Sequence, residues 1–347
     1  MTTAPTPRTL GYRLPAEWEP HVATWLSWPH NVNSWPGKFE PVPPIWAELV
    51  RILSDGEEVH IAAGPGPVFE QASAMVGGLK NVTIHPFKTN DAWMRDHGPM
   101  FLAGNGLEPA VVDWGYNAWG GKYPPFEDDN KMPAKVADLY GMKRFDPGMI
   151  LEGGSIEPNG KGTLLTTSQC LLNPNRNPEM TKAQIEQKLR DYACVDQILW
   201  LGEPDDGSIP GDDTDAHIDQ LARFVSETTV LAAYTEDTED EAYWLLNKNY
   251  EQLKSFRLSD GRPLDVVKFP MPDPQYYDDQ RLPMSYANFY IGNKAVVVPT
   301  FGDPADHIAI GILKEHFPTR EIIGIHSVDL VWGLGAFHCI TMQQVKV

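Results

Sequence analysis

The sequence predicts an α/β architecture of repeated strand and helix units, and three observations predict it. Short β-rich runs alternate with helical stretches along all 347 residues. The alternation returns about every 60 to 70 residues, about five times, although no exact repeat is visible. No segment is long or disordered enough to divide the chain, so residues 10–347 read as one domain behind an N-terminal tail of residues 1–9.

In chain order, Pro15 to Trp35 sets Trp18, Trp25, Trp28 and Trp35 among acids, histidines and prolines, which suits an ordered loop on a cleft wall, with packing the plainer role of each tryptophan. Ile45 to Leu53 has apolar residues at helical spacing after Pro43 and Pro44, and Asp55-Gly56 closes it. The strand Val59 to Ala63, the helix Phe69 to Val76 and the strand Val82 to Phe87 then make a unit of βαβ size. The pattern continues with the strand Ala110 to Trp114, the helix Pro133 to Tyr140, and the strands Met149 to Leu151 and Gly162 to Thr167. Thr181 and Gln184 form a capping box ahead of a helix carrying Ile185, Leu189 and Tyr192 on one face. Gln197 to Leu201 is a strand, and Phe224 to Tyr234 contains another. The acidic run Glu236 to Glu241 suits the start of a helix over Ala242 to Phe256. Leu264 to Phe269 and Phe289 to Phe301 are β-rich; Asp303-Pro304 opens a helix that Pro318 stops, and Glu321 to Ile325 leads to the glycine-containing stretch Trp332 to Cys339.

The net charge of -19, from 47 acidic and 28 basic residues, repels nucleic acid and anionic membrane and attracts a small cation. Cys170, Cys194 and Cys339 cannot build a disulfide framework, and no close Cys-x-x-Cys pair suggests zinc. No apolar run approaches the ~18 residues of a membrane span, and Met1 to Pro7 lacks a signal peptide's apolar core, so a cytoplasmic protein is the expectation.

Four polar clusters interrupt the units. In Asn90 to Pro99, Trp93 and Asp96 are three apart, so a ring and a carboxylate can face one planar cation; a surface Arg95/Asp96 pair is the alternative. Glu152 precedes Gly153-Gly154, where nothing crowds its reach into a pocket, or else it is an acid beside an ordinary turn. In Asp212 to Phe224, an extended backbone would project His217 and Asp219 on one face as an acid/base group beside a carboxylate. A metal site rivals that reading, but the spacing of a calcium loop and a second nearby histidine are both missing. Last comes Cys339, behind Gly333 and Gly335, whose freedom suits a tight approach to a site; a small buried hydrophobe is its plainer role. In an extended strand His338 and Cys339 would point to opposite faces, which leaves His217 the better base.

These stretches also carry a resemblance. Pro15-Ala16-Glu17-Trp18-Glu19-Pro20-His21, Trp93 to Pro99, Trp114 to Tyr123, Glu152-Gly153-Gly154-Ser155, Leu172 to Pro178, Thr214 to Phe224, Ser285 to Tyr290 and Trp332 to Cys339 resemble the agmatine deiminases, within the bacterial-type peptidyl-arginine deiminase family of guanidino-group modifying enzymes. The resemblance runs from near residue 10 to the end and implies a pentein fold, a five-bladed pseudo-symmetric α/β propeller of ββαβ units. It implies Cys339 as nucleophile, His217 as general acid and base, Asp96 and Asp219 as guanidinium clamps and Trp93 as a pocket wall, with Glu152, Asn288, Gly333 and Gly335 at the substrate. It implies hydrolysis of a small cationic guanidinium substrate with no cofactor and no metal: agmatine to N-carbamoylputrescine for putrescine biosynthesis or, alternatively, free or peptide-bound arginine to citrulline. A homo-oligomer is compatible with it. Outside the family, a non-catalytic polyamine-binding protein and a metal-dependent amidinohydrolase stay open. Two departures stand out: Ala216 lies where glycine is common, and Gly333-Leu334-Gly335-Ala336-Phe337 replaces a Gly-Gly-Gly-Asn-Ile form, which bears on specificity.

Overall fold

The computed structural model describes residues 5–346, so the first four residues of the expected tail lie outside the described residues. The rest of that stretch is tied down: Arg8–Leu10 forms a 3-10 turn, and Arg8 Nη1 donates to the Val195 carbonyl at 2.6 Å.

The strands form five sheets of three or four members and one small ribbon, Tyr276–Tyr277 with Gln280–Arg281. One local plan recurs in all five sheets. An antiparallel pair is followed by a crossover helix that lays the next strand parallel to the pair's second member. Ile156–Pro158 and Thr163–Thr167 pair, the helix Lys182–Tyr192 crosses, and Gln197–Leu201 runs parallel to Thr163–Thr167. Ala222–Phe224 and Thr229–Tyr234 repeat this with Tyr243–Ser255 and Asp265–Pro270. Tyr290–Ile291 and Ala295–Thr300 do so with Ala305–His316 and Glu321–His326. Met100–Gly104 and Leu107–Val112 do so with Met132–Tyr140 and Lys143–Phe145. In the fifth sheet the antiparallel pair joins the two ends of the chain, Thr341–Val345 against His21–Ser27, before the helix Val42–Ser54 and the strand Glu58–Ala62.

Local chemistry explains the elements. The strand Thr163–Thr167 is buried throughout, as an interior member of a covered sheet must be. The Thr181/Gln184 capping box is present, with both reciprocal bonds made. Asp303 Oδ1 accepts the Ala305 N–H at 2.7 Å and so opens the helix that ends before Pro318.

The structure corrects four local expectations. Within the supposed cleft-wall loop, His21–Ser27 is a strand of the terminal sheet, while Trp25, Trp28 and Trp35 take the plainer packing role expected of them, as core residues with no exposure. That strand is covered on both faces and shows no alternation, so its tryptophans masked it. Met149–Leu151 makes only a single bridge, Ile150 to Gly115. Met100–Gly104 is a strand the pattern did not reveal. Ile218–Gln220 is a 3-10 turn, not an extended segment. No helix among the described residues is long and apolar enough to cross a membrane.

Candidate active site

Each antiparallel pair is preceded by one short turn, and these five turns meet. Met94–His97 precedes Met100–Gly104; Gly153–Ser155 precedes Ile156–Pro158; Ile218–Gln220 precedes Ala222–Phe224; Tyr286–Asn288 precedes Tyr290–Ile291; and a turn over residues 337–340 precedes Thr341–Val345. They are stitched together: the Arg95 N–H donates to the Cys339 carbonyl at 3.0 Å, and the His338 N–H to the Asn288 carbonyl at 3.1 Å. The Gly154 N–H reaches Asp96 Oδ1 at 3.0 Å, and Ser285 Oγ donates to the Gln220 carbonyl at 2.8 Å. Asp96, Glu152, His217, Asp219, Asn288 and Cys339 all belong to these turns or abut them, although sequence separates them by up to about 240 residues.

Cys339 Sγ receives the Asn288 Nδ2 hydrogen bond at 3.1 Å and lies 3.6 Å from Asp219 Oδ2. Asn288 Oδ1 takes the Ala336 and Cys339 N–H groups at 3.1 and 3.3 Å, so this one amide holds both the loop and the sulfur. Burial raises the Cys339 thiol well above its usual range, and the Asp219 and Asp96 carboxylates push the same way. Both effects favour the protonated form of the thiol.

His217 is fully buried, with Nδ1 3.7 Å from Asp96 Oδ1 and Nε2 3.8 Å from Glu152 Oε2. Neither ring nitrogen has a hydrogen-bond partner, and Asp219 Oδ1 has none either. Burial pulls the imidazole down, but the Asp96 carboxylate leads a set of acceptors that hold it well above its usual value. Burial drives Asp96 up to about 6, with His217 opposing and Asp219 and Glu152 adding to the rise. His217 and Asp219 do converge, but across a 3-10 turn rather than along a strand. A Cβ added to Gly154 would sit 2.7 Å from His217 Nδ1, 2.8 Å from Asp96 Oδ1 and 2.9 Å from Asp219 Oδ2, so its bare α-carbon is the floor on which they meet.

A cavity of about 610 Å³ opens above Cys339 and is lined by Trp93, Asp96, Trp119, Gly333, Leu334 and Gly335 among others. Its volume suits a small molecule. Trp93 is stacked on Trp35 at 5.4 Å, and a Cβ on Gly335 would lie 2.6 Å from the Trp93 ring and 3.1 Å from Cys339 Sγ. Gly335 thus lets the ring and the thiol share one wall, whereas Gly333 gives way to the Trp35 ring at 2.5 Å. Ala336 and Phe337 point into the core. Of the expected residues, Trp93, Asp96, Gly333, Gly335 and Cys339 line the cavity, whereas Glu152, His217, Asp219 and Asn288 lie beneath its wall, Glu152 beside His217 and Asn288 against Cys339.

Several residues that sequence reasoning passed over, or to which it gave another role, support this set. Trp119 Nε1 donates to Asp96 Oδ2 at 3.0 Å from a left-handed backbone, φ 54°, followed by Gly120 and Gly121 at φ 86° and 80°. A tryptophan running into two glycines was its sequence signal. His338, set aside as a base, bridges Asp219 Oδ2 at 2.7 Å and Glu17 Oε2 at 2.9 Å. Glu17 also takes Arg95 and Arg223 at 3.0 Å each, so Arg95 is a buried partner of Glu17 and not of Asp96. Arg176 Nε donates to Glu152 Oε1 at 3.0 Å.

Glu152, Cys170 and His217 each place one ligand-type atom within 4.8 Å of the others. The trio fits a metal ion poorly. Arg176 already supplies Glu152 with a positive charge, and burial raises the Cys170 thiol, which keeps its proton.

Fold and site together define a mixed α/β enzyme in which a thiol, a histidine and two carboxylates are grouped at and beneath the wall of a cavity sized for a small molecule. Residues 13–344 match the family model for the Porphyromonas-type peptidyl-arginine deiminases. The chain is 36% identical to the agmatine deiminase of Pseudomonas aeruginosa over 98% of its own length and 97% of the relative's. The structure of the agmatine deiminase of Enterococcus faecalis superposes with a TM-score of 0.92 at 31% identity, covering 99% of both chains. A Cys-to-Ser variant of C. jejuni agmatine deiminase with substrate bound gives 0.86 at 36% identity, covering 96% of both. The chain belongs to the Porphyromonas-type peptidyl-arginine deiminase family.

Proposed function

We propose that the chain hydrolyses agmatine to N-carbamoylputrescine and ammonia through a covalent adduct on Cys339, a step toward putrescine. The observation that carries this reading is the pair of buried carboxylates beside the thiol, Asp96 and Asp219, the second with its Oδ1 unpaired, next to the His217 ring. A guanidinium is planar, always charged and carries five forked N–H donors, so it fills such a group while Trp93 covers its face.

The positive charge lowers the pKa of the adjacent thiol, which gives its proton to solvent, and Cys339 Sγ attacks the guanidinium carbon as thiolate. His217, held cationic by Asp96, gives its proton to the departing nitrogen, which leaves as ammonia. The thiouronium that remains is attacked by a water that returns one proton to His217; its second proton goes to the sulfur as the C–S bond breaks, releasing the ureido product and the thiol. Asp219 and Asp96 keep the carbon in line with the sulfur. No step calls for a metal or an organic cofactor.

The cavity favours an amine over a carboxylate on the substrate's tail. Asp91, Asp129, Asp213 and Asp278 line it, against a single cation, Lys122, which is bound to Asp215 at 3.0 Å. An arginine carboxylate would meet acids there, whereas the primary amine of agmatine is complementary.

The five turn-led sheets, one of them made by the chain ends, support a five-bladed pentein propeller with the site on its axis, and residues 10–347 act as one catalytic unit. Three free cysteines fit a reducing cytoplasm. The test is release of ammonia and ureido product from agmatine, arginine and a blocked arginine peptide, using wild type and Cys339→Ala, with and without chelator. Turnover of agmatine alone, abolished in Cys339→Ala and indifferent to chelator, is expected. Activity surviving in Cys339→Ala, or no turnover of any guanidine, overturns the reading.

A further inference from the structure

We infer that Leu334 is a specificity-determining residue that selects the length of the substrate's apolar tail. This rests on the guanidinium reading above and assigns a second function to the same cavity.

Leu334 is anomalous on three counts. Its φ is +74°, a region that strains a side chain with a γ-branch and that glycine adopts freely. Its side chain lines the cavity beside Trp332, Gly333 and Gly335. It is only half-buried and belongs to none of the hydrophobic clusters, although the neighbouring Trp332 packs against the largest of them. A leucine in a strained backbone with no core contact gains nothing for the fold. What it touches is the space above Cys339.

The backbone around the site shows where such strain is placed. Of nine non-glycine residues with positive φ among those described, seven (Ala118, Trp119, Asp215, Ala216, Asp278, Asp279 and Leu334) lie in segments that wall or abut this cavity. Trp119 uses its strain to reach Asp96, and Ala216 precedes His217. Leu334 is the one aliphatic side chain of the seven larger than a methyl, so its ligand contact is apolar. With the guanidinium fixed between Trp93 and Cys339, the group that passes Leu334 is the methylene chain leading to the amine.

The experiment compares kcat/KM for agmatine, propylguanidine and methylguanidine in wild type, Leu334→Ala and Leu334→Gly. Wild type should prefer the longer tail, and both variants should shrink the agmatine-to-methylguanidine ratio roughly tenfold, in line with losing a methylene-sized contact or more. Leu334→Gly removes the unfavourable φ, so its Tm should match or exceed that of Leu334→Ala; this variant keeps the test open if the alanine form folds poorly. A ratio within twofold of wild type in both variants overturns the inference while leaving the deiminase reading intact. Absence of guanidine turnover in wild type overturns both.

Discussion

Gly154→Ala isolates how much of the activity depends on the mutual placement of His217, Asp96 and Asp219. Gly154 is not among the residues with positive φ, so alanine meets no backbone penalty there and its effect comes from space alone. The new methyl would fall short of ordinary 3.4 Å contact by 0.7 Å to His217 Nδ1, 0.6 Å to Asp96 Oδ1 and 0.5 Å to Asp219 Oδ2. All three groups are buried and cannot retreat into solvent. Overpacking of this size costs about 1–3 kcal/mol of stability, which leaves a domain of ordinary stability folded. A displacement approaching 1 Å at reacting groups costs on the order of 100-fold in rate. Gly154→Ala should therefore lose about 100-fold in kcat/KM for agmatine, while its urea midpoint shifts by no more than that overpacking cost. Gly78→Ala, where a Cβ would meet nothing within 4 Å, should change neither. A Gly154→Ala enzyme within fivefold of wild type would refute the idea that these three side chains work as one fixed constellation.

Other consequences follow from the buried charges. Glu17→Gln leaves Arg95 and Arg223 without their shared carboxylate and should lower the free energy of unfolding by about 3–5 kcal/mol; a loss under about 1 kcal/mol in urea titration would contradict the ion-pair reading. Asp219→Asn removes the carboxylate 3.6 Å from Cys339, so iodoacetamide at pH 8 should alkylate that thiol faster than in wild type, even though burial still opposes ionisation. An equal or slower rate would show that Asp219 does not govern the thiol. His60 and His85 are held down to about 4 by burial, their ring nitrogens 3.0 Å apart beneath Trp25. They stay neutral in the fold and protonate first in the unfolded chain. Their contribution is therefore complete above about pH 6.5 and disappears as pH falls toward 4, amounting to roughly 3 kcal/mol for His60 and less for the more exposed His85. His85→Phe should flatten the fall in urea midpoint between pH 6.5 and pH 4; an unchanged slope would place the acid sensitivity elsewhere.

Local signals carried the crossover helices and most of the interior strands, because caps, prolines and apolar spacing are short-range. The same signals failed at His21–Ser27, where a strand covered on both faces has no polar alternation and its partner Thr341–Val345 lies more than 300 residues away. Within the site, the residues proposed to do chemistry were visible as Cys339, His217, Asp96 and Asp219, since few other roles need a thiol, an imidazole and acids beside glycines. What could not be read was how they are held. Glu17 stands among tryptophans near the N-terminus and reaches the site through Arg95 and through His338, a residue that adjacency to Cys339 made conspicuous for the wrong reason. Asp219 gives one oxygen to His338 and keeps the other open, and Asp96 divides its oxygens between Gly154 and Trp119. Those divisions decide which lone pairs remain for a ligand. The extended reading of His217 to Leu221 brought the right pair together for the wrong reason: in a strand their common side would follow from alternation. Here it follows from a 3-10 turn folding both onto an α-carbon that has no side chain. Gly154 therefore carries as much of the site's geometry as any of the ionisable groups around it, and sequence alone presented it only as the second glycine of a turn.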